Sequence, residues 1–160
     1  MNSSDHSELP PGRLFCFGLG YTGARLARAL RTSGWQVSGT SRDAGVMREL
    51  AADGISGTSL EDAVIPPGTS HMLCTIPPSE AGDPVILSHA KHIADVRGIV
   101  WLGYLSTTGV YGDRGGETVD ESDTPAPGNA RSRRRLAAEQ AWLDLGRAHG
   151  ISVQIFRLAG

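Results

Sequence analysis

A doubly wound parallel α/β sheet, six strands with helices on both faces, is the fold class that this 160-residue sequence predicts. Three observations carry it. Short apolar runs alternate with amphipathic segments of helical period along most of the chain. A glycine-rich turn joins the first apolar run to the first helical segment. The composition, 39% hydrophobic and 20% charged with a formal net charge of -2, is that of one ordinary globular domain with enough apolar material for a sizeable core.

Residues Met1 to Pro11 are polar, lack a basic start and an apolar stretch, and read as a flexible leader rather than a signal peptide. The domain is expected over residues 12–160. The first strand is predicted over Arg13 to Phe17 and the first helix from Thr22 to Thr32, stopped at Gly34. A second strand, Trp35 to Thr40, leads to a helix from Ala44 to Ala52, and Ile55 to Ser59 is the weakest strand candidate. His71 to Ile76 reads as a fourth strand ended by Pro77 and Pro78. Pro84 to Val96 reads as a helix with Val85, Ile86, His89, Ile93 and Val96 at helical spacing, and Ile99 to Leu105 as the fifth strand. The Gly, Pro, Asp and Thr-rich stretch from Thr107 to Gly128 is expected to be an irregular, site-lining loop. A helix from Arg131 to His149 and a strand from Ile151 to Arg157 close the pattern.

Gly18-Leu19-Gly20-Tyr21-Thr22-Gly23 satisfies G-x-G-x-x-G between a strand and a helix, the context that makes this Rossmann-like dinucleotide fingerprint informative. Gly18 would permit the tight turn, Gly20 would let a pyrophosphate approach the backbone, and Gly23 would let helix and strand pack closely. Tyr21 and Thr22, at the start of the helix, join the expected cofactor-binding set, as do Thr75, Ile76 and Pro77 at the exit of the fourth strand. The second strand does not end in the acid expected to hold an unphosphorylated ribose. It ends Gly39-Thr40-Ser41-Arg42, and Ser41 with Arg42 suits a 2′-phosphate, so NADP is the expected cofactor. The alternative is NAD, with Arg42 solvated and Asp43 supplying the acid.

The run Ser106-Thr107-Thr108-Gly109-Val110-Tyr111-Gly112 follows the fifth strand. Together with the glycine motif, Asp120-Glu121-Ser122, Arg135-Leu136-Ala137-Ala138-Glu139 and Phe156-Arg157-Leu158-Ala159-Gly160, it resembles the extended short-chain dehydrogenase/reductase family of sugar-nucleotide epimerases and dehydratases. The atypical branch, whose second strand ends in Thr-Ser/Thr-Arg, is the most similar. The resemblance implies an oxidoreductase or epimerase/dehydratase acting on a small, sugar-nucleotide-like substrate. It places Thr107 in the catalytic Ser/Thr position. The family's Tyr-x-x-x-Lys pair falls on Arg131 and Arg135. An arginine stays protonated at any ordinary pH and cannot exchange a proton as a tyrosine does. Arg135 keeps only the binding half of the lysine's role, as a donor to the nicotinamide ribose; either Tyr111 handles the proton, or, as the resemblance implies, it shapes the loop and a residue outside this chain does so. A non-catalytic NADP-binding sensor or scaffold is the alternative. The resembling family also continues well beyond this length, so a chain truncated before a substrate lobe is expected, leaving an apolar surface that would favour a homodimer.

Four cations within Arg131-Ser132-Arg133-Arg134-Arg135 sit against the positive end of a helix dipole. Either they form a solvated face balanced by Glu117, Asp120, Glu121 and Asp123, or Arg131 or Arg133 points into the cleft and binds a phosphate or carboxylate of the substrate, to whose binding Thr108 is also expected to contribute. Near-neutral charge and the lack of an aromatic platform beside these arginines argue against nucleic acid. No apolar run approaches the roughly 20 residues of a membrane span. His71, His89 and His92 lack metal-ligand spacing, so no metal is expected. Cys16 and Cys74 lie in apolar runs and read as buried reduced thiols, which favours a cytoplasmic setting.

Overall fold

The structure is a computed structural model and describes residues 11–159. The leader, apart from Pro11, and Gly160 lie outside the described residues. In chain order the elements are β1 (Arg13–Phe17), α1 (Tyr21–Thr32), β2 (Gln36–Thr40), α2 (Ala44–Ala52), β3 (Ser56–Thr58), β4 (His71–Cys74), α3 (Pro84–Asp95), β5 (Trp101–Thr107), a 3-10 turn (Thr108–Tyr111), α4 (Ala130–His149) and β6 (Val153–Leu158). All five strand pairings are parallel, and the sheet order is β3-β2-β1-β4-β5-β6. The doubly wound class is therefore the fold, and its order reverses between β1 and β4, where such sheets bind ligands at their C-terminal edge.

The helices start and stop for local reasons. Asp43 and Asp83 accept two backbone N–H groups each at the heads of α2 and α3, and Asn129 accepts the Ser132 N–H at the head of α4. Pro84 opens α3 at the position where a missing N–H costs nothing. Gly150, at φ +67, terminates α4 in the left-handed region, and the Ile151 N–H closes onto the Gly146 carbonyl. That cap explains why β6 begins at Val153 and not at Ile151. β4 is also shorter than expected: Thr75 still donates to Phe17, but the two prolines that follow Ile76 have no N–H for the ladder.

Two apolar layers hold the sheet. Phe15, Phe17, Met72, Leu102 and Tyr104 pack against Val85 and Ile93 of α3 and Ala138 and Trp142 of α4. Leu14, Cys16, Val37 and Leu73 pack against Ala24 and Ala27 of α1 and Leu50 of α2. Each large side chain so buried contributes about 1.5–3 kcal/mol. The second layer is thinner over β5 and β6, where Phe156 and Leu158 remain 39% and 45% exposed. Cys16 and Cys74 are buried and free of any disulfide. Burial pushes the Cys16 thiol up to about 12 and the Cys74 thiol well above its ordinary value, so both remain protonated. No helix among the described residues is long and apolar enough to cross a membrane.

Candidate functional site

The strands β1, β2 and β4 end together at the switch point, and their exits wall a cleft of about 560 Å³. Its walls include Gly18, Gly20, Ser41, Arg42, Thr75, Ile76 and Pro77, seven of the residues expected to bind the cofactor, with Asp43, Leu60, Ser79 and Pro84 beside them. Leu60, Ser79 and Pro84 were not anticipated. They carry no motif, and only the path of the chain after β3 and β4 brings them there.

The three motif glycines are distinguished by what a side chain would meet. Gly18 has φ +102, and a Cβ there would collide with Thr75 Oγ1, whose hydroxyl donates to the Gly18 carbonyl at 2.7 Å. At Gly23 a Cβ would collide with that same carbonyl and stand 3.1 Å from Cys16 Sγ, so its absence lets α1 lie against β1. At Gly20 a Cβ would meet nothing within 4 Å, leaving open ground beside the N-terminus of α1. A tight turn, a close helix contact and an exposed backbone approach are thus separately visible. Thr40 secures the turn from the other side: its hydroxyl accepts the Gly18 N–H at 3.1 Å and its carbonyl accepts the Leu19 N–H at 2.6 Å. Tyr21 and Thr22 open α1; the Tyr21 ring is 81% exposed and stacks under the Arg25 guanidinium.

At the end of β2, Asp43 Oδ1 accepts the Gly45 and Val46 N–H groups at 2.7 and 3.1 Å, which commits that oxygen to capping α2. Ser41 Oγ accepts the Asp43 N–H at 3.2 Å. Arg42 is exposed and forms no ion pair within 4.0 Å among the described residues.

The second group of predicted residues gathers at the exit of β5, outside the walls of this cleft. Thr107 ends β5, and its Oγ1 accepts the Gly109 N–H at 3.1 Å, opening the turn that carries Thr108 and Tyr111. Arg135 Nη1 donates to the Leu105 carbonyl at 2.7 Å and to the Tyr104 hydroxyl at 3.1 Å. Arg131 is exposed at the head of α4. The loop acids do not pair with these arginines within 4.0 Å. Asp113 accepts from the Gly115 N–H, Asp120 from the Ser122 N–H and hydroxyl, and Asp123 from the Asp120 N–H. The hydrogen bonds from Ser122 hold the Asp120 carboxyl below its ordinary range.

Two buried polar groups escaped the sequence. Asp83, besides capping α3, accepts the Trp142 indole N–H at 3.1 Å, joining α3 to α4; burial raises its carboxyl above the ordinary value. Glu139 accepts from the Ser106 hydroxyl and from Arg157 Nε and Nη2, while Arg157 Nη1 donates to the Tyr111 hydroxyl at 2.8 Å. The sequence signal was a lone charge in the apolar strand Val153–Leu158 and a glutamate on the same helix face as Ala138 and Trp142.

No family model matches the chain. It is 32% identical to protein YeeZ of Escherichia coli K12 over 164 residues, which cover 89% of this chain and 56% of that protein. The chain thus spans about half the length of the curated relatives it matches. A functionally unknown conserved protein from Silicibacter pomeroyi DSS superposes with a TM-score of 0.85 at 39% identity, covering 93% of this chain and 52% of that one. The UDP-glucuronic acid 4-epimerase of Bacillus cereus, solved in complex with NAD, superposes with a TM-score of 0.72 at 16% identity, covering 92% of this chain and 56% of that one. That likeness shows a shared Rossmann-like fold.

Proposed function

We propose that the chain is the dinucleotide-binding part of a short-chain dehydrogenase/reductase-like protein of the extended, atypical kind, binding NADP in the cleft at the β1–β4 switch point. The observation that carries this is the arrangement of Gly18, Gly20 and Gly23, each free of a side chain for a different reason, with Gly18 and Gly20 lining that cleft and Gly23 packing α1 beneath the turn. An anionic pyrophosphate suits the open backbone at Gly20 and the head of α1. Arg42 and Ser41 would take the 2′-phosphate, and the use of Asp43 Oδ1 in helix capping supports the phosphate over a ribose diol.

NADP in this position supplies a hydride acceptor or donor, so the chain's share is binding and orientation. Thr107 would orient the reacting oxygen of a small, sugar-nucleotide-like substrate through its hydroxyl, with Thr108 and Arg131 contributing to its binding. Arg135, held by Leu105 and Tyr104, would present the rest of its guanidinium fork to the cofactor ribose. Tyr111 is the proton-handling candidate within the chain. The second reading is a sensor or scaffold that binds NADP without turnover. It draws on Arg131 and Arg135, which stand where the family has its proton-exchanging pair and exchange no proton.

Calorimetric titration with NADPH and with NADH tests both the site and its specificity. Tighter binding of NADPH is the expected result; binding of neither would end the proposal. With binding established, loss of NADPH absorbance in the presence of carbonyl compounds separates the enzyme from the sensor.

A further inference from the structure

Among the described ion pairs, Glu139–Arg157 alone has a carboxylate shut away from solvent, with Glu139 2% exposed. The other pairs lie on the surface, where such contacts contribute little. Glu139 is reached by three donors on two other elements: the Ser106 hydroxyl of β5, and Nε and Nη2 of Arg157 on β6. The remaining arm of Arg157 donates to Tyr111, and its guanidinium lies 4.7 Å from the centre of that ring. One buried carboxylate on α4 therefore ties β5, β6 and the 3-10 turn together. The hydrogen bond to Glu139 is the main cause that pushes Arg157 further above its ordinary value, so the cation is permanent.

The placement of this cluster along the chain gives it a task. Ser106 and Thr107 are adjacent on a strand and point to opposite faces. Pinning Ser106 from below sets the height and direction of Thr107. Thr107 in turn caps the turn at Gly109, and Tyr111 closes that turn against Arg157. The segment from Ser106 to Tyr111 is held at both ends by the same charged pair, and a planar fork on a carboxylate fixes orientation as well as distance.

We propose that Glu139 and Arg157 are positioning residues for the β5 exit, holding Thr107 and the Thr108–Tyr111 turn in place beside the dinucleotide cleft. The proposal rests on Thr107 being the residue that orients the reacting oxygen. Neither member of the pair touches the cleft. A buried ion pair is weak evidence for net stability, because its desolvation offsets most of its attraction. Its distinct contribution is geometric.

The test compares Glu139→Gln with the double variant Glu139→Leu/Arg157→Met, which removes both charges and leaves only the neutral Ser106 and Tyr111 hydroxyls without their former partners. Amide hydrogen exchange is followed residue by residue, alongside thermal melting and NADPH titration. In Glu139→Gln, exchange at residues 108–111 is expected to accelerate at least tenfold. Exchange in α1 and NADPH affinity should stay within about twofold of the parent. The double variant is expected to recover the parent melting temperature while keeping the fast exchange at 108–111. A folded double variant with parental exchange there would overturn the proposal, and so would a uniform acceleration across the sheet in Glu139→Gln. Should the double variant fail to fold, the local or uniform pattern in Glu139→Gln decides. Absence of NADPH binding in the parent chain would sink the cofactor assignment but leave the exchange result to judge the pair on its own.

Discussion

The cleft at the ends of β1, β2 and β4 is shaped mainly by backbone and by side chains that are missing, whereas the exit of β5 is held by side chains that carry charge. In the first region Gly18, Gly20 and Gly23 create the shape, and Thr40 and Thr75 secure it with short neutral hydrogen bonds. In the second, Arg135, Glu139 and Arg157 do the holding, with Ser106, Tyr104 and Tyr111 as partners. The difference bears on how such a protein diverges. A turn that depends on the lack of Cβ atoms at Gly18 and Gly23 tolerates few substitutions at those two positions, while an end organised by side chains can exchange its residues and keep the sheet.

The comparison is broken most directly at Glu139. Replacing it with alanine strands Arg157 in a largely buried place and is expected to cost about 3–5 kcal/mol in denaturant unfolding. A loss below about 1 kcal/mol would mean that the β5 exit is not held by charge. Arg42→Ala sharpens the other side: NADPH affinity should fall by roughly 1.5–3 kcal/mol, the range for a hydrogen bond to a charged group, with NADH affinity unmoved, as read by calorimetry. An equal loss for both cofactors would remove Arg42 from phosphate recognition.

The motif glycines divide between the cleft and the helix contact beneath it. Gly23→Ala forces a Cβ into the Gly18 carbonyl and should destabilise the fold by about 1–3 kcal/mol, whereas Gly20→Ala meets open space and should leave stability within about 0.5 kcal/mol while weakening NADPH binding. Equal melting temperatures for the two variants would contradict the geometry.

The smallest effect is a pH dependence. Burial, with the neighbouring His92 as a lesser cause, lowers the folded-state value of His89 below its ordinary 6.5. The unfolded chain therefore binds the proton more readily, and stability is lost as pH falls below about 6.5 toward the folded value. His89→Gln should flatten thermal stability between pH 7.5 and 5.5, and an unchanged slope would assign the effect elsewhere, with His71, also lowered by burial, next in line.

The fold was legible because its signals are local. β1 and α2 fall on their predicted residues, and the boundaries of the other elements shift by one or two residues, for β4 and β6 where prolines and a helix cap decide. The cleft at the switch point was legible through Gly18, Gly20 and the strand ends. Leu60, Ser79 and Pro84 were not, since they reach the cleft only through tertiary folding. The loop acids that one reading sets against the solvated α4 arginines form no ion pair with them within 4.0 Å, and Asp113, Asp120 and Asp123 accept from groups of the loop itself, a local pairing that the order of residues does not announce.

By itself the sequence determined the alternation of strands and helices and the glycine turn, because hydrophobic period and turn geometry are properties of neighbouring residues. Only the tertiary structure decided that Asp83 would take the indole of Trp142 and that Glu139 would face Arg157, 18 residues away along the chain. A buried polar group is stable only with its partner in reach. Which partner that is depends on how the sheet stacks its helices, and this distance in space is not written in the order of the residues.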